Sequence, residues 1–349
     1  MKAMDTIEPV PPGAATDTRH DLVVVGASAG GIEAVQRLIG DLGDQPGAAI
    51  LIVIHMAPDM PSALPSIIAR CTPMTVVPVF ARRPIEAGTI YVAQPDLHLI
   101  VDDGHIVASR GPRENRHRPS IDALFRSAAK DFGPRVVGVV LSGNLRDGAA
   151  GLDAINHAGG IAVIEDPADA SYTGMPLAAM SAVPDASVVR LAKMGRFLAA
   201  LLPDVVAPGG QPMATFNAPR EGASALYDDY PPSRYTCPDC GGTLFRVDDG
   251  GERVITFHCR VGHRYSSESL FEAQDDAVED ALWASLRAME ERIDLADALA
   301  ARARDGGRKH ATDYFMRKAA VARGRADALR TLLNESNLDT SVELGAEEE

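Results

Sequence analysis

The chain has no apolar run long enough to span a bilayer. Its first twenty residues, MKAMDTIEPVPPGAATDTRH, hold no apolar stretch of the kind that makes a signal peptide. A cytoplasmic protein without membrane insertion is the expectation. Basic charge is scarce as well. The 34 Lys and Arg are outnumbered by 48 Asp and Glu, and the net charge of -14 argues against nucleic-acid binding. There are only four cysteines, and three of them (Cys237, Cys240 and Cys259) cluster late in the chain. That distribution excludes a disulfide framework and points to a metal site.

What is present is an ordinary globular composition, 46% hydrophobic and 23% charged over 349 residues. This is enough for one large core plus small modules. Residues 1–19 read as a flexible tail. From 20 to 202, apolar strand patterns (21–26, 49–55, 75–79, 89–93, 135–141, 161–165, 187–191) alternate with helical ones (30–40, 61–70, 120–131, 147–158, 176–183, 193–202). A hairpin, Leu97–Val101 with Ile106–Ser109, turns at Asp102-Asp103-Gly104. Alternation of this kind predicts an α/β fold, a doubly wound and mostly parallel sheet with helices on both faces. Proline and glycine mark 203–233 as a linker. Residues 234–268 form a small cysteine-containing unit, and 269–334 carry two apolar helical stripes. One is Leu282, Leu286, Met289, Ile293 and Ala296; the other is Phe315, Ala319, Ala322, Ala326, Leu329 and Leu333. With Asp305-Gly306-Gly307 between them, they predict a helical hairpin or a coiled coil with a partner. Residues 335–349 read as an acidic disordered tail.

The most informative segment is Leu22-Val23-Val24-Val25-Gly26-Ala27-Ser28-Ala29-Gly30-Gly31. A buried-strand run stops at Gly26, and a helical face of Ile32, Val35, Leu38 and Ile39 follows. Between them lies Gly-x-Ser-x-Gly, a turn that projects a serine hydroxyl at the carboxyl end of a strand, beside a helix N-terminus. The alternatives are a dinucleotide loop or a small residue easing the turn. The dinucleotide fingerprint needs glycine at Ser28 and an acidic residue after the next strand, which instead ends in His55. A serine nucleophile needs a base and an orienting group. His55 ends the second strand, and Asp147 follows the strand at 135–141. Asp59, Asp166 and Asp169 are rival carboxylates, and Asp147 could instead simply cap its own helix.

Five collinear segments, GASAGG (26–31), IHM (54–56), NRHRPSIDALF (115–125), LSG…DGAAGL (141–152) and TGMP (173–176), resemble the catalytic domain of CheB-type chemotaxis protein-glutamate methylesterases. The resemblance implies a cytoplasmic serine hydrolase that demethylates glutamyl methyl esters on the cytoplasmic helices of methyl-accepting chemoreceptors. Related chemistry would deamidate receptor glutamines. Ser28 would be the nucleophile, His55 the base and Asp147 its orienter, with no cofactor for catalysis. The Ala29 amide is the candidate oxyanion donor. The chain departs from the family pattern at Ala29, where threonine is common, and at Asn144-Leu145, which replace Met-Gly. The catalytic pattern starts at residue 21, which leaves no room for the family's N-terminal receiver domain. Regulation is then expected from the C-terminal module, through a separate regulatory protein or self-association of its helices. A non-catalytic adaptor built on the same fold is the rival reading.

Cys237-x2-Cys240-x18-Cys259-x3-His263 has zinc-ribbon spacing and predicts a closed, structural zinc site. Arg110, Arg113, Arg116 and Arg118, with His117, form a basic loop in an acidic chain. They are candidates for docking acidic receptor helices, against the simpler reading of a solvated loop.

Overall fold

The computed structural model describes residues 20–43, 47–58, 62–203, 230–247 and 254–343. The expected tail at 1–19, Asp59, most of the expected linker and residues 344–349 lie outside them. Along the chain come β1 (Leu22–Ala27), α1 (Gly31–Asp41), β2 (Ala49–Ile54), α2 (Leu64–Ile68), β3 (Thr75–Pro78) and the two-residue β4 (Arg83–Pro84). They are followed by β5 (Thr89–Val92), β6 (His98–Asp102), β7 (His105–Ser109), α3 (Ile121–Phe132), β8 (Val136–Val140) and α4 (Ala149–His157). The α/β region closes with β9 (Ile161–Glu165), α5 (Gly174–Ala182), β10 (Ser187–Val189) and α6 (Leu191–Leu201).

Seven strands form one sheet in the order β10-β9-β8-β1-β2-β5-β3, and every pairing is parallel. Period-two alternation sorts the valines of β1 to opposite faces. Val23 and Val25 pack with Val35, Leu38, Ile39, Met194 and Leu198 of α1 and α6. Leu22 and Val24 pack with Leu124, Phe125, Leu152 and Ile155 of α3 and α4. Burial on both faces is why these strands read as unbroken apolar runs. From β1 the chain builds outward through β2, then returns through α3 to β8 on the other side of β1. That reversal is the switch point where open α/β sheets place their sites. The expected hairpin is β6–β7, joined at its edge by β4.

A four-stranded antiparallel sheet follows, β11 (Pro232–Thr236), β12 (Thr243–Val247), β13 (Thr256–Cys259) and β14 (Arg264–Ser266), in that order. It belongs to the same compact unit as the α/β sheet, Met1–Leu270. Val254 packs against the core beneath α3 and α4, and Glu114 bridges to Arg264. The ribbon is therefore seated on the catalytic region rather than set apart from it. The second unit, Phe271–Glu349, is a helical hairpin made from most of α7 (Ser267–Asp305) and α8 (Lys309–Glu343). The two stripes face each other, with Leu286, Ala326 and Leu333 buried. Arg330 pairs with Glu290 at 2.7 Å and Arg323 with Asp297, a descending register that makes the helices antiparallel. The α8 helix runs on to Glu343, which corrects the expectation of disorder from 335; acidic composition there is compatible with continued helix. No helix among the described residues is long and apolar enough to cross a membrane.

Gly26, the last residue but one of β1, leaves no room for a side chain: a Cβ there would lie 2.3 Å from Ile121 Cγ2, at the start of α3. Gly26→Ala is expected to overpack this contact and destabilise the first unit by about 1–3 kcal/mol. A lowered urea midpoint checks it, and an unchanged midpoint would contradict the packing account.

Candidate active site

The nucleophile turn is tied down by backbone bonds that extend the sheet. Ser28 N donates to Ser142 O at 3.0 Å, Leu141 N to Gly26 O at 2.9 Å, and His55 N to Ala27 O at 3.2 Å. Gly30 caps α1 at φ +70, a conformation glycine adopts without penalty. Ser142 braces the turn from the neighbouring loop: its Oγ donates to Ala29 O and accepts from Tyr172 N, both at 2.9 Å. Its amide donates to the buried Glu165 carboxylate at 2.7 Å. Met175 of the TGMP segment closes against Gly143, where a Cβ would lie 2.1 Å from its sulfur.

The structure brings the three strand-end residues together. Ser28 Oγ lies 3.1 Å from His55 Nδ1, and His55 Nε2 lies 2.7 Å from Asp147 Oδ2. The Asp147 side chain is wholly buried and that of His55 nearly so. Asp147 does not cap its own helix; Gly148 does that, at φ +101. Asp147 faces the N-terminus of α3 instead. It accepts from Ile121 N at 2.6 Å, Asp122 N at 3.3 Å, Ser120 Oγ at 2.9 Å and Asn115 Nδ2 at 2.9 Å, as well as from His55. Burial pushes this carboxyl up, but the hydrogen bond and charge of His55 outweigh it and hold Asp147 well below the usual carboxylate range. An ionised Asp147 can only accept, so the His55 proton sits on Nε2. Nδ1 then presents its lone pair to the Ser28 hydroxyl.

Asp166 and Asp169, the described rivals, accept from Ala168 N and Leu191 N and serve loop geometry. Among the described residues the Ala29 amide makes no hydrogen bond, while that of Ser28 is spent on Ser142. Ala29 N–H is thus available beside the nucleophile. In the loop that departs from the family pattern, Leu145 sits at φ +65 and is half exposed. A left-handed leucine is strained by roughly 1–2 kcal/mol.

Three residues beside the triad were given no role there by the sequence reading, which placed His117 only with the basic loop. Asn115 and Asp122 lie behind the triad, their side chains bonded at 2.7 Å. Burial, reinforced by the Asp147 charge, pushes Asp122 up to about 7. His117 stacks flat on His55, with centroids 3.7 Å apart and an interplanar angle of 7°. Burial, with the neighbouring His55 charge, lowers its pKa. All three fall inside NRHRPSIDALF, so the signal was a motif without assigned roles.

The basic loop divides. Arg110 and Arg118 both grip Asp96, each placing Nε at 2.9 Å from a carboxylate oxygen, and they hold that carboxyl below its usual range. Arg113, Arg116 and Arg118 line a cleft of about 190 Å³ together with His55, Met56 and His117, so Arg118 both grips Asp96 and borders the cleft.

Residues 23–198 match the sequence model for the CheB methylesterase family. A relative in Leptospira interrogans serogroup Icterohaemorrhagiae serovar copenhageni is 35% identical over 176 residues, 50% of this chain and 91% of its own. The chain belongs to the CheB methylesterase family. That Leptospira relative provisionally bears the name protein-glutamate methylesterase/protein-glutamine glutaminase. Photorhabdus laumondii has a protein of the same paired name, 36% identical over 179 residues, covering 50% of this chain and 51% of that one. The crystal structure of the Thermotoga maritima CheB methylesterase catalytic domain aligns at 25% identity and a TM-score of 0.49, over 52% of this chain and 98% of that one.

Outside the family region, the four expected metal ligands also converge. Cys237 Sγ and Cys259 Sγ lie 3.6 and 3.5 Å from His263 Nδ1, and Cys240 Sγ lies 3.6 Å from Cys259 Sγ. All four ligand atoms lie within 4.8 Å of one another. A tetrahedral zinc with Zn–S near 2.3 Å and Zn–N near 2.0 Å has edges of about 3.5–3.8 Å, so the donor set fits that ion.

Asp147→Asn keeps the shape of the site but turns an amide N–H toward His55 Nε2, which favours the wrong tautomer. Catalytic turnover, and the rate at which a fluorophosphonate labels Ser28, are expected to fall by on the order of 10⁴-fold. A loss below tenfold would contradict the assigned tautomer.

Proposed function

We propose that this chain hydrolyses glutamyl methyl esters on chemoreceptor helices, serving chemotaxis adaptation. The observation that carries the reading is the unbroken hydrogen-bond relay from Ser28 through His55 to a buried, ionised Asp147. Ser28 Oγ attacks the ester carbonyl while His55 Nδ1 takes its proton. The Ala29 amide receives the charge that develops on the carbonyl oxygen; one such donor is typically worth about 3 kcal/mol. His55 returns the proton to the methoxy group and methanol leaves. Water then attacks the acyl-enzyme with His55 again as base, giving the glutamate carboxylate and free Ser28. Replacing methoxide by ammonia as the leaving group makes the same sequence a glutamine deamidation, which accords with the paired names of the relatives. No step calls for a cofactor. The adaptor reading leaves the relay unexplained.

Arg113 and Arg116 stand in the wall of the cleft that holds His55 and would meet an acidic receptor helix there. Arg110 acts through Asp96, shaping the loop from within, and Arg118 does the same while also bordering the cleft. The ribbon holds one structural zinc on Cys237, Cys240, Cys259 and His263. Four protein ligands leave no open position for chemistry.

Two measurements test these readings. Methylated receptor incubated with the chain is expected to release methanol, and Ser28→Ala to release none above background; equal release by both would reject the esterase. Metal analysis of the purified chain is expected to find one zinc, lost in Cys259→Ser. A zinc-free wild type with an intact ribbon would reject the metal assignment.

A further inference from the structure

Asn115 lies between the triad and the ribbon. It is 8% exposed, with φ +47, and its amide N donates to Arg264 O of β14 at 2.9 Å. One end of its side chain donates to Asp147 Oδ1 at 2.9 Å and to Asp122 Oδ2 at 2.7 Å. The other end accepts from Ser269 Oγ at 2.7 Å and Ser266 N at 3.3 Å. A backbone N–H can only donate, so the carboxamide oxygen must face Ser266, and the NH₂ faces the two carboxylates. All four hydrogen-bonding positions of the carboxamide are then filled.

We propose that the ribbon completes the active site: Ser266 and Ser269 lock the Asn115 side chain, and Asn115 positions the Asp147 carboxylate. Asn115 is a positioning residue, since it touches no reacting atom. The inference rests on the esterase reading but concerns what keeps that relay aligned.

The physical reason is the cost of the alternatives. Without the two serine donors the buried Asn115 oxygen has no partner. A rotation that sought one would turn that oxygen toward the ionised Asp147 carboxylate, which would repel it, and would take the NH₂ donors away from Asp147. The donors are themselves held in place. Ser266 ends β14, and its Oγ accepts from Ser269 N at 3.1 Å in the first turn of α7. β14 starts at the residue after His263, so the metal knuckle fixes its position. The same docking recurs nearby. Glu114 pairs with Arg126 and with Arg264, while Gly262, at φ +104, sits so close to Pro112 that a Cβ would lie 2.9 Å from its ring. The donors come from 151 and 154 residues further along the chain. The ribbon's order is thus read at the triad through a single carboxamide.

The test uses the full chain with Ser269→Ala, Ser269→Thr and Ser269→Cys. Three readouts are compared: methanol release from methylated receptor, the rate of fluorophosphonate labelling of Ser28, and metal content. Ser269→Ala is expected to lower kcat and the labelling rate together by about tenfold, the scale of one lost hydrogen bond, with KM and metal content unchanged. Ser269→Thr, which keeps the hydroxyl, is expected to restore both rates. If Ser269→Ala fails to fold, Ser269→Cys carries the test. It has similar volume and a weaker donor, and intermediate rates are expected. Wild-type rates in Ser269→Ala or Ser269→Cys, or a loss that threonine does not restore, would overturn the proposal. Labelling keeps this outcome separate from the substrate reading. A wild type that labels at Ser28 but releases no methanol defeats the substrate reading alone, and the labelling rates of the variants still decide the coupling.

Discussion

A carboxylate sealed away from water must be paid for locally, and the site is organised around that demand at Asp147. Five donors converge on it from three directions: the first turn of α3, the Asn115 carboxamide and the His55 ring. The helix N-terminus contributes oriented amides and a favourable dipole. Ser120 has two tasks there, capping α3 through Ala123 N and bonding to Asp147. His98 of the β6–β7 hairpin steadies Ser120 in turn: its Nδ1 accepts from Ser120 N at 3.2 Å while Nε2 donates to Pro112 O at 2.9 Å. Burial lowers the His98 pKa, consistent with that neutral tautomer. The anion therefore fixes α3, and α3 fixes the wall behind the nucleophile turn, because Ile121 is the residue that Gly26 must clear.

From that anchor the chemistry follows by elimination. Asp147 accepts, so His55 Nε2 donates; Nδ1 then accepts, so Ser28 donates. Nδ1 thus faces the nucleophile and Nε2 the orienting carboxylate, the reverse of the pairing in the familiar protease template. Triads are defined by roles, and the hydrogen-bond geometry that those roles require is present here. His117 covers the face of His55 and restricts the ring to one plane. The arginines divide by the same logic of pairing. Arg110 and Arg118 satisfy Asp96 and shape the loop, while Arg113, Arg116 and Arg118 border the cleft.

Most of the sheet was legible because burial on both faces writes continuous Val, Ile and Leu runs, and each of its seven strands lies within two residues of its apolar segment. Ser28, His55 and Asp147 were legible because strand ends at a switch point converge in space. β4 was not, since two residues carry no pattern. Asn115 and Asp122 were invisible for a different reason: their significance lies in partners up to 154 residues away. The ribbon's ligand spacing was plain, but its seat against the 112–118 loop is a matter of surface complementarity that no local pattern encodes. The reach of α8 to Glu343 was misread because charge was taken as a sign of disorder.

The central claim, that a buried Asp147 anion fixes His55 in the tautomer that activates Ser28, is tested most directly by ¹⁵N NMR of the selectively labelled histidine ring in the full chain. The account predicts that neutral His55 carries its proton on Nε2, with a pyridine-like Nδ1. A neutral ring protonated on Nδ1, leaving Nε2 bare against the carboxylate, would contradict it.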